Sequence, residues 1–443
     1  MIAILIIFTY FMLMLNFDAP LLVSNTSNFL LTIEHTIVLI TCFKIIRNNI
    51  SNKKTRNLFY ITFLVGYSFS LLFLTTVWTP NLIEQFTTEW GAFDPIKYYS
   101  MAAVAINHGV FVDTFEFFPI AYIYWGIMKI FGLNPLIPLF FNQIIFVYSI
   151  TIITNYINTN TQQNTKYYCW LLLIQELIYY NITASKDILC AYCATIIFVK
   201  SNELFNKSYN LKSLALLFIF IAIFFIARFS VAIVSILGII SMYLSINKLT
   251  SKKIIMIVCL SLSFIFILSK TSILGEYFNI TQLINKVSSE LSGVLSVAAE
   301  LHDVNKNGFS QKIIPTNTFE FIIFGFIRSI CYLIIDGRFI HNPIPILTFN
   351  QTNPLLSTVD FTTLLMFISC LFILKWCRNI KNENHNIKML LYIFVLYWYV
   401  VGTFNPLMIH IRYRLVYDIF FFCIAIKAYI YIKHNKQEIL NKA

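Results

Sequence analysis

The sequence predicts an all-α polytopic membrane protein, a helix bundle of about 12 spans. Three observations predict it. Of the 443 residues, 58% are hydrophobic and only 12% are charged, where a soluble globular domain carries roughly 25% charged residues. Mean hydropathy is +0.74, and the shortage of charge extends along the whole chain. The apolar residues form continuous runs rather than alternating with polar ones, which selects helices over a barrel. Lipid cannot hydrogen-bond a backbone, so no open sheet is available to such runs.

The spans follow from length and charge. A span needs about 20 apolar residues. Residues 1–16 lack a basic start and a small-residue cleavage site, and read as an uncleaved first span rather than a signal peptide. Residues 28–46 form the second. Lys44, Arg47, Lys53, Lys54 and Arg56 then make the densest basic loop, which the positive-inside rule places in the cytoplasm. The third span, 58–78, leads out, and 79–133 becomes a first outer loop. Glu84, Glu89, Asp94, Asp113 and Glu116 stand there against a single lysine, Lys97.

Within that loop, 117–131 is apolar enough to be a short span. If it crossed, the later basic loops (200–212, 248–253, 375–388 and the tail from Lys433) would all fall on the wrong, outer side. If it lies flat on the outer surface, all of them fall inside, so it reads as a juxtamembrane helix with Pro119 near its start and Lys129 near its end. Span four is then 134–155, leading in, and span five is 167–183, leading out. Ser185, Lys186 and Asp187 come to the outer surface. Span six, 188–200, is short. The stretch 211–247 is a hairpin of two spans with Arg228 at its outer apex. Span nine is 254–269, and 270–359 forms a second outer loop. In that loop 319–336 carries Arg328 mid-helix and again reads as surface-lying. Spans ten, eleven and twelve are 360–375, 389–404 and 415–432. Both termini are cytoplasmic, and 1–443 is a single integral membrane domain. Among acidic residues only Glu203, Glu383 and Glu438 fall in the inner loops and tail.

The net charge of +12 would point to nucleic acid in a soluble protein. Here the basic residues are those of short cytoplasmic loops, and no nucleic-acid partner is expected. Cys190 and Cys193 form a CxxC inside an apolar run, so they read as a packed helix face and not a redox pair. No Cys/His spacing fits zinc. The Asp303–Gly308 stretch has the spacing of a calcium-loop start without its closing glutamate. His302, His341 and His410 have no ligand spacing. No phosphate loop, hydrolase elbow or zinc-protease helix is present. Neither a metal nor a cofactor is expected. No internal repeat of the transporter kind is visible.

With this register the unusual charges fall on one side. Asp94, Lys186, Arg228, Arg338, Arg412 and Arg414 all lie at or near the outer interface, and charges at membrane depth are costly unless paired or functional. Asp94 precedes Pro95, as a residue capping the helix over 96–108 would. A carboxylate over a membrane-facing cavity also suits a base that takes a proton from a hydroxyl; both roles are compatible. Arg412 and Arg414 point to different helix faces. One is available for bidentate contacts to a diphosphate, the other for Asp418 one turn on, and snorkelling to the interface is the plainer alternative for both. Lys186 and Asp187 either neutralise each other at a helix start or leave Lys186 for a lipid phosphate.

Asp94 with Tyr98, Tyr99 and 101–105, followed by Phe118-Pro-Ile-Ala-Tyr-Ile-Tyr-Trp and Lys129-Ile-Phe-Gly-Leu-Asn-Pro135, resembles the first outer loop of GT-C membrane glycosyltransferases. Ser185-Lys186-Asp187, Arg228 and Arg412-Tyr413-Arg414 resemble later landmarks of bacterial GT-C-like proteins. The second outer loop and its Pro-rich turn at 342–345 are similar to O-antigen and capsule repeat-unit polymerases of the Wzy type. The departure is at the start, where two spans precede the one that leads into the Asp loop. The resemblance implies a polysaccharide polymerase of the bacterial inner (plasma) membrane. It would join polyprenyl-diphosphate-linked (undecaprenyl-type) oligosaccharide units at the outer face, beside membrane lipid and other polysaccharide-assembly proteins. It implies Asp94 as the base, and Arg228, Arg338, Arg412, Arg414, Lys186 and Tyr98 as substrate-binding residues. The alternatives are a GT-C enzyme that adds one sugar from a polyprenyl-phosphate donor, and a lipid-linked oligosaccharide flippase. Two long outer loops with surface-lying helices favour an enzyme over a flippase.

Overall fold

The computed structural model describes residues 1–14, 28–74, 94–108, 120–158, 162–174, 186–206, 211–227, 354–404 and 415–442, with single positions between 177 and 181, 232 and 239, and 320 and 330. The described residues are nearly all helical and include no strand. In order they form α1 (Ile2–Met14), α2 (Asn28–Asn49), α3 (Lys53–Phe73), α4 (Asp94–His108), α5 (Ile120–Phe131) and α6 (Leu136–Ile157). A 3-10 segment, Gln162–Leu173, leads to α7 (Lys186–Asn206) and α8 (Leu211–Ala227). The chain closes with α9 (Pro354–Trp376), a 3-10 turn (Cys377–Asn382), α10 (His385–Phe404) and α11 (Leu415–Lys442). Five stretches are long and apolar enough to cross a membrane: Phe29–Asn49, Lys53–Phe73, Leu136–Ile157, Thr362–Lys381 and Leu415–Asn435.

The chain divides into two compact units. One comprises Met1–Phe229, Ile344–Leu391 and Leu415–Ala443, and the other Ser230–Pro343 and Tyr392–Arg414. In the second unit Trp398 is the anchor. Its indole N–H donates to the Ser329 carbonyl, and its ring stacks on Phe394 and meets Phe326 edge-on.

The first unit is built around α7. Every residue of 188–199 is at most 1% exposed. A helix apolar on all sides has to be buried on all sides, and α6, α8 and α11 pack against it. The sequence predicts a short span over 188–200; the helix instead has 21 residues and is about 31 Å long. Its last turn carries the Lys200–Glu203 ion pair at 2.9 Å.

Helix directions come from paired contacts. The Cys42 thiol of α2 meets the Gln143 carbonyl of α6 at 4.0 Å, and Asn49 donates to Thr151 at 3.3 Å. Both partners advance together, so α2 and α6 run parallel. The phenol of Tyr60 reaches the Phe43 carbonyl while Tyr67 reaches His35, so α3 runs antiparallel to α2. Between α2 and α6 the chain therefore makes α3 plus an even number of crossings. The two remaining described helices there, α4 and α5, have 15 and 12 residues. They are about 22 and 18 Å long, short of a hydrocarbon core of about 30 Å.

Local chemistry sets the joint between α5 and α6. Gly132, at φ 93°, takes the left-handed position just past α5, where side chains other than glycine are strained, and its N–H closes on the Met128 carbonyl at 2.7 Å. Asn134 then accepts the Leu136 N–H at 2.8 Å, an Asx turn that starts α6. The α3 entry is similar: Asn52 accepts the Thr55 N–H at 3.1 Å, and the helix begins inside the basic loop, earlier than residue 58. The sequence predicts an ordinary span over 167–183. Residues 162–173 form a 3-10 helix instead, and the Leu172 carbonyl comes so close to Gly66 of α3 that a Cβ there would lie 2.5 Å from it.

Candidate functional site

α4 and the start of α7 bring three of the singled-out residues to one end of the first unit. Asp94 is the first residue of α4, and Tyr98 follows one helical turn later. Lys186 is the first residue of α7. The Lys186 ammonium lies over the Tyr98 ring, 5.8 Å from its centroid, within the range where a cation is held by the ring's quadrupole. Arg228, Arg338, Arg412 and Arg414 lie outside the described residues; α8 ends at Ala227 and α11 begins at Leu415.

Tyr98 and Tyr99 are both fully buried. Burial pushes the Tyr99 phenol well above its ordinary range, so it remains a neutral donor. α4 also packs on α5: Met101, Ala105 and Ala121 form a small apolar core, with Trp125 against it. The buried residues of α5 are Ile120, Ala121, Tyr124 and Met128, whereas Tyr122 and Ile130 are exposed. One face is buried and one is not, the pattern of a helix at an interface. Lys129 caps the outward side with its ammonium 4.8 Å from the Trp125 ring.

Asp187 is buried within the protein, with 1% exposure, and is engaged with its surroundings. Its place in the first turn of α7 sets its carboxylate at the positive end of the helix dipole. Lys186, beside it, is half-buried.

Behind this end lies a buried polar cluster that the sequence reading does not single out. Asn142 of α6 donates to the Asn181 carbonyl at 3.1 Å. Tyr192 of α7 donates its phenol to the Asn181 side-chain oxygen and stacks on Phe146 at 5.3 Å. Gln143 donates to Ser70 of α3 at 3.1 Å. Tyr124 of α5 sits beside the Asn142 amide, and burial pushes its phenol up. Neutral amides in an apolar run carry little weight in a hydropathy reading, and only their recurrence at 142, 143 and 181 was available as a signal. These bonds tie α3, α6 and α7 together.

Cys190 and Cys193 form no disulfide and are fully buried, a packed helix face as the sequence reading has it. Among the described residues no three His, Cys, Asp or Glu side chains are grouped to hold a metal ion. The arrangement can thus offer a fixed cation, buried phenols and, on the same helix as Tyr98, a carboxylate. No protein-family model, no curated protein and no solved structure matches this chain.

Proposed function

We propose that this chain is a polysaccharide polymerase of a bacterial inner membrane, joining polyprenyl-diphosphate-linked repeat units at the outer face. The observation that carries the reading is the Lys186–Tyr98 contact at 5.8 Å. It joins the helix that Asp94 opens to the helix start that bears Lys186 and Asp187, two segments far apart in sequence. The parallel course of α2 and α6, with α4 and α5 too short to cross, supports an outer position for both short helices as juxtamembrane elements.

In this reading the acceptor unit presents a sugar hydroxyl to Asp94. Its oxygen attacks the anomeric carbon of the donor chain, and its proton passes to the Asp94 carboxylate. The bond from that carbon to the diphosphate oxygen breaks, and the polyprenyl diphosphate leaves. Lys186, Arg228, Arg338, Arg412 and Arg414 receive the leaving group's charge, which is the main electrostatic contribution expected in such a transfer. Tyr98 holds Lys186 in place and forms part of the floor.

A strain lacking the gene tests the reading through the length distribution of its surface polysaccharide. The expected profile has acceptors that carry one repeat unit and no ladder. Loss of every unit, the first included, favours a flippase. An unchanged ladder overturns the proposal.

A further inference from the structure

A second polar centre lies on α1, α2 and α3, none of which carries Asp94, Tyr98 or Lys186. Glu34 stands in the second turn of α2 and is 3% exposed. Among the described residues, neither of its carboxylate oxygens has a hydrogen-bond partner. His35, next to it and fully buried, bridges the two neighbouring helices. Its Nε2 is 3.4 Å from the Thr9 hydroxyl of α1, and its Nδ1 is 3.0 Å from the Tyr67 phenol of α3. Tyr10 of α1 meets the His35 ring edge-on at 4.4 Å and hydrogen-bonds Thr36. Tyr67 also stacks on His35 at 5.4 Å and lies within electrostatic reach of Glu34, Tyr10 and Cys42.

No positive charge is available to Glu34 from these helices. The residues facing this region offer Tyr10 from α1, His35 and Cys42 from α2 and Tyr67 from α3 as the titratable groups. Neither α1, nor 28–43 of α2, nor 57–73 of α3 contains a lysine or arginine. The fourth element, α6, runs parallel to α2 about 100 residues further on, and its stretch 136–147 has no charged or titratable side chain. Among the described residues a carboxylate ion there would have neither counter-charge nor donor, and such burial costs far more than keeping the proton.

We propose that Glu34 is an intramembrane proton-binding site, loaded at neutral pH, with the Thr9–His35–Tyr67 chain as its route of proton exchange. The ligand is H⁺ itself. A buried carboxyl next to an imidazole that is itself joined to hydroxyls supplies the parts of a proton relay. This gives the chain an ionic function that does not depend on the sugar chemistry of α4 and α7.

Dicyclohexylcarbodiimide tests the proposal on the full chain reconstituted in phospholipid vesicles. The reagent is lipid-soluble and reacts with protonated carboxyls. The acid proton moves to a carbodiimide nitrogen, the carboxyl oxygen bonds the central carbon, and an acyl shift leaves a stable N-acylurea with no atom lost. At neutral pH the Glu34 peptide should gain the mass of one intact reagent. The yield should fall as the pH is raised toward about 10, past the range documented for buried glutamates. Tyr67→Phe should shift the pH of that fall while leaving the yield at low pH unchanged, and Glu34→Gln should leave its peptide unmodified. The wild-type pH profile stands without either variant. A Glu34 peptide unmodified at neutral pH, or a yield that does not change with pH, overturns the proposal. So does protection by Na⁺ but not by choline, which would make this a metal-cation site.

Discussion

Lys186 is the residue on which the candidate site turns. Its ammonium over Tyr98 is worth about 0.5–1 kcal/mol if partly exposed and more if desolvated, too little to hold the fold but enough to fix a side chain. Lys186→Met should therefore leave the protein folded while cutting polymer formation at least tenfold, whereas Lys186→Arg should retain a substantial part of it. Quantifying polymer in a complemented deletion strain would check both, and equal activity in Met and Arg variants would remove Lys186 from the site. Asp94→Asn should reduce polymer formation by roughly 10²–10⁴-fold, the usual contribution of a positioned acid–base group. Full-length polymer made by that variant would return Asp94 to the role of a helix cap.

Single residues also explain what the sequence showed and hid. Asp94 and Lys186 stand out in the sequence because each is charged beside long apolar runs, where charge is expensive. Glu34 does not, because one carboxyl barely lowers the hydropathy of an otherwise apolar span. Asp187 was placed correctly at a helix start, but its burial was hidden, because burial depends on α7 being enclosed by helices remote in sequence.

At the scale of elements, the joints are the testable parts. Gly132 has φ 93°, so Gly132→Ala should cost about 1–2 kcal/mol, the penalty of a left-handed L-residue. Gly66 lies against the Leu172 carbonyl, where a Cβ would approach to 2.5 Å. Gly66→Val should destabilise by about 1–3 kcal/mol through overpacking. By contrast, Gly126, where an added Cβ meets nothing within 4 Å, should tolerate alanine. Thermal unfolding of the detergent-solubilised protein would rank the three, and a Gly66 variant as stable as the Gly126 one would contradict the packing of α3 on 162–173. The Gly132 and Asn134 joint was legible from the Phe-Gly-Leu-Asn-Pro run, a stop followed by a start. The Gly66 contact was not, since nothing local in α3 records where the Leu172 carbonyl will lie.

For the whole molecule, the helical class followed from composition and the continuous apolar runs, and five of the described stretches have the length and apolarity of spans. The register rested on one judgement, that 117–131 does not cross. The parallel pair α2 and α6 bears on it physically, because an odd number of crossings by α4 and α5 would have set those two helices antiparallel. A reporter fused after Phe131 should show an outer location and one fused after Asn49 a cytoplasmic one. A cytoplasmic location for Phe131 would overturn the register and put Lys186 on the opposite side from Asp94. The central claim is catalytic, and one measurement meets it most directly. The purified chain, reconstituted in vesicles with a polyprenyl-diphosphate-linked repeat unit and no nucleotide sugar, should convert that unit into a ladder of its multiples and release polyprenyl diphosphate. Substrate recovered unchanged in length, whether or not it has moved between leaflets, would contradict the account.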